Sequence, residues 1–230
     1  MTSGREPVTP TRMRAAIARR MAQSKQQAPH FYVTAEIEMD AVLDAAARLN
    51  EGRPREERVS VTAFLVRALA EVLPKHPHFN AVWREDGILE RIEAVNVGVA
   101  VAVEDGLIAP AVLDCAGRSL DQIGASLREL VERTRAGRLR AAEISEATFT
   151  LSNLGTYDIS SFTAIISPPQ VAILATARTE PRPVVRDGEI VVRQMMTATL
   201  SADHRAVDGA AAAGLLADLK EVLASPGSWT

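Results

Sequence analysis

MMTATLSADHRAVDGAAAAGLLADLKEVL, the stretch Met195–Leu223, decides the fold. Its first part, up to Ser201, places Thr and Leu among small residues and predicts a β-strand. Its last part, from Ala210 on, places leucines and a valine at helical spacing, which predicts an amphipathic helix packed against that strand. The short polar connection between them holds His204 and Asp208. A connection held by a packed strand and a packed helix is a rigid mount, as catalytic groups require.

The same connection also has a purely structural interpretation. Asp208 stands just before the helix, where a carboxylate can accept hydrogen bonds from free N–H groups and meet the positive end of the helix dipole. Gly209 would relax the bend, and His204 could be a hydrogen-bonded loop residue. The pattern H-x-x-x-D-G alone favours neither interpretation.

The rest of the chain alternates helical and strand patterns. Residues 1–10 are polar, contain two prolines and are predicted to be a tail or linker end, so residues 11–230 form the domain. Helices are predicted over Arg12–Gln27, from Asp40 as N-cap to Asn50, over Val61–Lys75 with Ser60 as N-cap, and over Ser119–Gly137. Strands are predicted over Phe31–Met39, Val95–Val103 (buried on both faces), Leu107–Leu113, Thr148–Ser152 and Val171–Ala177, with hairpins at Glu85–Gly87 and Pro183–Gln194. This order indicates a two-layer α/β sandwich with a mixed sheet.

Composition limits the classes of function. A chain of 230 residues with 47% hydrophobic and 24% charged residues is typical of a globular protein, and a net charge of -3 gives no reason to expect a nucleic-acid partner. No apolar stretch reaches the ~20 residues of a membrane helix. The single cysteine, Cys115, excludes an internal disulfide and indicates a reducing compartment, the cytoplasm or an organelle matrix. We expect it to be a small half-buried residue rather than a nucleophile. No Cys/His cluster has metal-ligand spacing, so no metal is predicted.

A second polar motif follows another predicted strand. Phe149–Gly155 ends in a hydroxyl, an amide and a glycine, and on its own it predicts a turn with side chains bonded to backbone. Together with His204 it gains a chemical meaning. Thioester exchange requires a base for a thiol and a donor for the oxyanion of the tetrahedral intermediate. Histidine can be that base, and the Ser152 hydroxyl can be that donor without acting as a nucleophile.

Two motifs, LSADHRAVDGA and TFTLSNLG, resemble those of the dihydrolipoamide acyltransferases, the core component of 2-oxo-acid dehydrogenase complexes, with chloramphenicol acetyltransferase as a distant relative. Further matches cover about Thr11–Leu223 and include IARRMAQSKQQAPHFYVTAEIEMDAVL, HPHFNAVW, VNVGVAVAVEDGLIAPAV and SPPQVAILA. SNLG resembles the acetyl-transferring members of pyruvate dehydrogenase complexes more than the succinyl-transferring members.

The resemblance implies a chloramphenicol acetyltransferase-like fold and transfer of an acyl group, most simply acetyl, between dihydrolipoamide and coenzyme A. It assigns His204 as general base, Ser152 as oxyanion donor and Asp208 as the group that orients the histidine. It also implies a homotrimer in which the histidine of one subunit faces the serine of its neighbour. Such trimers can assemble into cubic or icosahedral cores, with lipoyl domains and the other components of the complex as partners.

Two departures from the family pattern leave alternatives open. The only lysines, Lys25, Lys75 and Lys220, lie outside any lipoyl-attachment hairpin, so the chain is either an excised catalytic domain or a free-standing relative. The polar end Pro226–Thr230 replaces the aliphatic tail that joins trimers in many relatives, which favours an isolated trimer. The competing functions are a coenzyme A-dependent acyltransferase with another small acceptor and a core scaffold without turnover.

Overall fold

The computed structural model describes residues 4–229. Positions 1–3 of the predicted tail and position 230 lie outside the described residues. The helices are α1 (Arg12–Gln27), α2 (Asp40–Leu49), α3 (Val61–Val72), α4 (Leu120–Arg135), α5 (Ala141–Ser145) and α6 (Gly209–Ala224). The strands are β1 (His30–Glu38), β2 (Ala81–Trp83), β3 (Leu89–Arg91), β4 (Val97–Val99), β5 (Val101–Val103), β6 (Gly106–Ile108), β7 (Ala111–Val112), β8 (Phe149–Asn153), β9 (Ala172–Arg186) and β10 (Glu189–Asp203).

Six strands form one mixed sheet in the order β1-β10-β9-β8-β4-β7. Strand β8 is parallel to both β9 and β4, and the other neighbours are antiparallel. Residues of α2, α3, α4 and α6 join one face of this sheet in a single hydrophobic core. The predicted two-layer α/β sandwich with a mixed sheet is therefore confirmed.

Alternation along β1 separates the two faces of the sheet. Phe31, Val33 and Ile37 pack with the core on the helix side. Thr34 points the other way, and its hydroxyl lies 3.0 Å from that of Thr199 on β10. This second side, which we call the open face, is rich in hydroxyl groups. The pattern in Phe31–Met39 predicts this arrangement because successive side chains of a strand alternate between its faces.

Of the predicted N-caps in the first half of the chain, Ser60 is confirmed and Asp40 is wrong. The Ser60 hydroxyl accepts a hydrogen bond from the Ala63 N–H at 3.3 Å and starts α3. At α4, Ser119 and Gln122 bond each other's backbone N–H groups in a capping box. Asp40 is different: it is the first residue of α2 rather than its cap, and its carboxylate accepts from the Gln194 N–H at 3.0 Å.

Two predicted strands are broken. The stretch Val95–Val103 is split at Ala100 into β4 and β5, and Ala102 is exposed, so burial on both faces holds only for β4. The Ala100 N–H bonds to Leu151 of β8 rather than continuing the ladder with β7. Leu107–Leu113 is likewise split into β6 and β7. The first break leads the chain from β4 of the main sheet into the small β5–β6 pair, and the second returns it to the main sheet at β7.

Strands β9 and β10 are longer than predicted. The separate predictions Val171–Ala177, Pro183–Gln194 and Met195–Ser201 merge into two paired strands of 15 residues each. Their outer half, which we call the ribbon, extends beyond the pairing with β1. Val185 pairs directly with Ile190, so the two share one side of the ribbon with Val192, and these side chains are 65%, 79% and 65% exposed. Among residues 4–229, no helix is long and apolar enough to cross a bilayer.

Candidate active site

His204 is mounted where the sequence predicts, directly after β10. Its N–H donates to the Pro29 carbonyl at 3.0 Å, and its ring lies against Phe31 with 4.5 Å between ring centroids. The side chain is exposed, and no group within residues 4–229 is hydrogen-bonded to the imidazole. Backbone and ring contacts therefore hold the histidine, and its nitrogens remain available to a ligand.

Asp208 is the N-cap of α6. Its carboxylate accepts from the Ala211 N–H at 2.9 Å, as the structural interpretation of the motif predicts. This cap explains why the helix begins directly after the polar connection. The other predicted role, orientation of His204, stays a prediction, because the carboxylate is hydrogen-bonded to the helix and not to the imidazole in the chain as described.

The cap at Asp208 carries a prediction about stability. Asp208→Ala is expected to lower the free energy of unfolding by ~1 kcal/mol, whereas Asp208→Asn, which keeps an accepting oxygen, should retain most of it. Urea unfolding followed by circular dichroism measures both. Asp44→Ala, which removes an exposed carboxylate from α2, is the control and should leave stability nearly unchanged. Equal stability of Asp208→Ala and wild type would contradict the capping role.

Ser152 lies near the end of β8, 9% exposed. It is level with Ala175 of β9, which is level with Thr199 of β10. Directly opposed residues share a face, so the hydroxyl of Ser152 belongs to the open face, while its neighbour Leu151 is in the core.

Asn153 fixes the turn that follows Ser152. Its amide Nδ2 donates to the Thr62 hydroxyl on α3 at 3.0 Å, and its Oδ1 accepts from the Gly155 N–H at 2.8 Å. A Cβ at Gly155 would lie 2.8 Å from that same Oδ1, so a larger residue there would displace the Asn153 amide from this position. The turn predicted from Phe149–Gly155 is thus present, and it ties the end of β8 to the helix layer.

Ser152 and His204 do not meet within one chain. His204 lies five residues beyond Thr199 along β10, and Thr199 is two strands away from Ser152 at the same level. With ~3.4 Å per residue along a strand and ~4.8 Å between strands, the two side chains are on the order of 20 Å apart. The ring contact with Phe31 also places His204 on the helix side, opposite to Ser152. One chain therefore holds the two predicted site residues apart, and we call their two surroundings the half-sites of the predicted site.

Sequence reasoning missed the partners of the residues on either side of His204. The Asp203 carboxylate is buried, 1% exposed, and is bound by the guanidinium of Arg205. The guanidinium carbon in turn lies 4.5 Å from the centroid of the Trp83 ring. The available signal was the pair of opposite charges flanking the histidine, but the aromatic partner comes from a distant part of the chain.

Cys115 is more deeply buried than predicted, with no exposed surface. Burial raises the pKa of its thiol to about 11, and the thiol lies 3.1 Å from the Val112 carbonyl, to which it donates. It is a packed core residue with little thiolate character. Among residues 4–229, no three His, Cys, Asp or Glu side chains are grouped to hold a metal ion.

Comparisons with known proteins give a consistent family. The family model of the 2-oxoacid dehydrogenases acyltransferase (catalytic domain) matches residues 2–230. The acetyltransferase component of the pyruvate dehydrogenase complex of Rickettsia felis is 37% identical over 216 residues, which are 93% of this chain and 52% of that protein. The chain thus spans about half the length of the curated relatives that it matches.

Solved structures agree with the sequence comparison. The dihydrolipoamide acetyltransferase of Azotobacter vinelandii, studied for the roles of a serine, a histidine and an asparagine in its catalytic mechanism, has a TM-score of 0.93 and 31% identity over 99% of this chain and 94% of that chain. A cubic core of a pyruvate dehydrogenase multienzyme complex has a TM-score of 0.90 and 31% identity over 99% and 94%. A chloramphenicol acetyltransferase, at 13% identity over 89% and 94% with a TM-score of 0.60, shares the fold, as predicted. The chain belongs to the family of 2-oxoacid dehydrogenase acyltransferases, whose catalytic domain it matches.

Proposed function

We propose that this chain transfers an acyl group, specifically acetyl, between dihydrolipoamide and coenzyme A. His204 is the general base, Ser152 donates to the oxyanion, and Asp208 assists the histidine. Both substrates are thiols or thioesters, and the reaction needs no metal.

The spacing of the three residues carries this proposal. In the Azotobacter vinelandii enzyme the histidine follows the serine by 52 residues, and the asparagine follows the histidine by four. Here His204 follows Ser152 by 52 residues, and Asp208 follows His204 by four. Asp208 thus stands in place of an amide. Because the Azotobacter vinelandii enzyme has an uncharged asparagine at this spacing, we expect Asp208 to act as a hydrogen-bonding residue rather than as a source of charge.

The chemistry follows from the groups available. The imidazole of His204 takes the proton of the attacking thiol, and the thiolate sulfur bonds to the carbonyl carbon of the thioester. The carbonyl oxygen becomes an oxyanion, to which the Ser152 hydroxyl donates a hydrogen bond. When the intermediate collapses, the bond to the original sulfur breaks, and the imidazolium returns its proton to the departing thiolate. Ser152 stays unacylated throughout.

The separation of the half-sites requires a second copy of the chain. A distance on the order of 20 Å between Ser152 and His204 cannot be closed by side-chain motion, whereas a neighbouring copy can bring its serine to this histidine. Two further features support assembly: His204 is exposed, and the ribbon displays Val185, Ile190 and Val192 together. We infer a homotrimer, as the family resemblance implies, which can build further into a core like the cubic one.

The wider partners follow from the same proposal. As a catalytic domain of this family, the chain would receive the lipoyl arm of a lipoyl domain and work beside the other components of a 2-oxo-acid dehydrogenase complex. The buried, unpaired Cys115 is compatible with the reducing cytoplasm or an organelle matrix.

An acyl-group panel tests the proposal. The purified protein is assayed with acetyl-, succinyl- and isobutyryl-coenzyme A against free dihydrolipoamide, and kcat/KM is expected to be highest with acetyl. His204→Ala protein is the control for the uncatalysed exchange. Turnover with a hydroxyl or amine acceptor but none with dihydrolipoamide would favour the alternative acyltransferase. A folded protein without turnover on any acceptor would favour the idle scaffold.

A further inference from the structure

Arg205 is bound by a set of hydrogen bonds to Asp203, the residue that directly precedes His204. Its Nε lies 3.0 and 3.1 Å from the two carboxylate oxygens of Asp203, and a terminal guanidinium nitrogen lies 2.6 Å from one of them. The backbone N–H of Arg205 donates to the same carboxylate at 3.0 Å. The Asp203 carboxylate is 1% exposed, and a polar group buried to this extent is costly unless it is hydrogen-bonded, as it is here.

Arg205 is also held from its other side. The guanidinium stacks on Trp83, 4.5 Å from the ring centroid, and the Trp83 N–H donates to the Pro169 carbonyl at 2.8 Å. Arg205 thus links the end of β10 to the β2–β3 hairpin and to the loop before β9. Arg205, Trp83 and Pro169 border one cavity of ≈ 390 Å³.

His204 lies between the two members of this ion pair. Its imidazole has no hydrogen-bond partner within residues 4–229, so the direction of the ring depends on the backbone on either side and on Phe31. On one side Asp203 is tied to the sheet through its N–H, which donates to Val171 at 2.9 Å. On the other side the pairing with Asp203 and the stacking on Trp83 fix Arg205.

We propose that Arg205, acting through Asp203 and Trp83, is a positioning residue that holds His204 in the direction needed for proton transfer. This inference rests on the proposed function for its kinetic part. The guanidinium fork is essential to the role because a lysine ammonium cannot span both carboxylate oxygens and stack on an indole at once. Arg205 touches neither thiol nor thioester in this mechanism.

Kinetics of three variants test the role. Arg205→Ala is expected to lower kcat by ~10²-fold, the scale of a misplacement of about 1 Å, and Arg205→Lys by ~10-fold. The KM values for acetyl-coenzyme A and dihydrolipoamide should stay within about twofold, because substrate binding is not removed. The matched control is Arg84→Lys, which borders the same cavity but pairs with Asp86 and Glu90. The control should behave as wild type.

Rescue separates positioning from a general loss of structure. Arg205→Ala leaves space beside an existing cavity, so methylguanidinium at millimolar concentration is expected to restore part of kcat in this variant and to leave Arg84→Ala unaffected. Circular dichroism and sizing confirm that each variant is folded and assembled. A folded Arg205→Lys protein with wild-type kcat, or a loss confined to KM, would overturn the inference.

A spectroscopic measurement tests the inference even if the proposed reaction is wrong. With ¹³C-labelled histidine, the ring signal of His204 is identified by its absence from His204→Ala. In Arg205→Lys this signal should shift or broaden, while those of His76 and His78 stay in place; His30 is paired directly with Asp203 and is left out of the comparison. An unchanged His204 signal would refute the positioning role, whereas a changed signal in a protein without acyltransferase activity would refute only the proposed function.

Discussion

Replacing His204 by alanine is expected to lower kcat for acetyl transfer by ~10²–10⁴-fold, the usual loss when a general base is removed. The fold should survive, because the side chain is exposed and only its backbone N–H bonds to Pro29. Steady-state kinetics with acetyl-coenzyme A and dihydrolipoamide measure the loss, and circular dichroism measures the fold.

The matched control for this variant is His78→Ala, which removes another exposed imidazole, on the loop before β2. It should keep wild-type turnover. Near-normal kcat in a folded His204→Ala protein would show that another group takes the thiol proton, and the assignment of the base would then fail.

Ser152→Ala is expected to lower kcat by ~10²–10³-fold with little change in the KM for coenzyme A, because the hydroxyl donates only to the oxyanion of the intermediate. Ser145→Ala, which removes an exposed hydroxyl from α5, is the control. A change confined to KM would make Ser152 a binding residue. An acyl-serine trapped from wild type would show a different mechanism.

The two damaged variants should complement each other. A His204→Ala chain keeps Ser152, and a Ser152→Ala chain keeps His204, so some interfaces of a mixed oligomer contain both groups. Proteins unfolded and refolded together are expected to regain a sizeable part of wild-type activity, whereas each variant refolded alone stays inactive. Sizing confirms the mixed assembly. Without recovery in a confirmed mixture, the site would have to lie within one subunit.

Much of the fold could be predicted because its signals are local. Caps such as Ser60 and Asp208, and the alternation in Phe31–Met39, depend on residues a few positions apart. The length of β9 could not be predicted from the sequence, because Pro181 and Pro183 suggest a break in a strand. The ribbon tolerates these prolines since β9 is paired there only with β10, which leaves its other edge without a neighbour.

The candidate site divides in the same way. His204, Ser152 and Asp208 stand in short motifs whose chemistry can be interpreted from the residues themselves. The contact of Arg205 with Trp83 could not be predicted, because it joins segments more than a hundred positions apart and depends on how the β2–β3 hairpin docks. The opposite charges of Asp203 and Arg205 beside the histidine indicate an ion pair, but only the tertiary structure shows that Arg205 packs on Trp83.

Ser152 and His204 lie on opposite faces of the sheet, on the order of 20 Å apart, and this separation has a consequence for a chain that has just been made. Under the proposed mechanism, a lone chain is folded but inert toward thioesters, because no base and oxyanion donor face each other until chains meet. Turnover per chain then falls on dilution below the dissociation constant of the assembly, even though every chain keeps its structure. Chains that have not yet assembled therefore do not react with acyl thioesters.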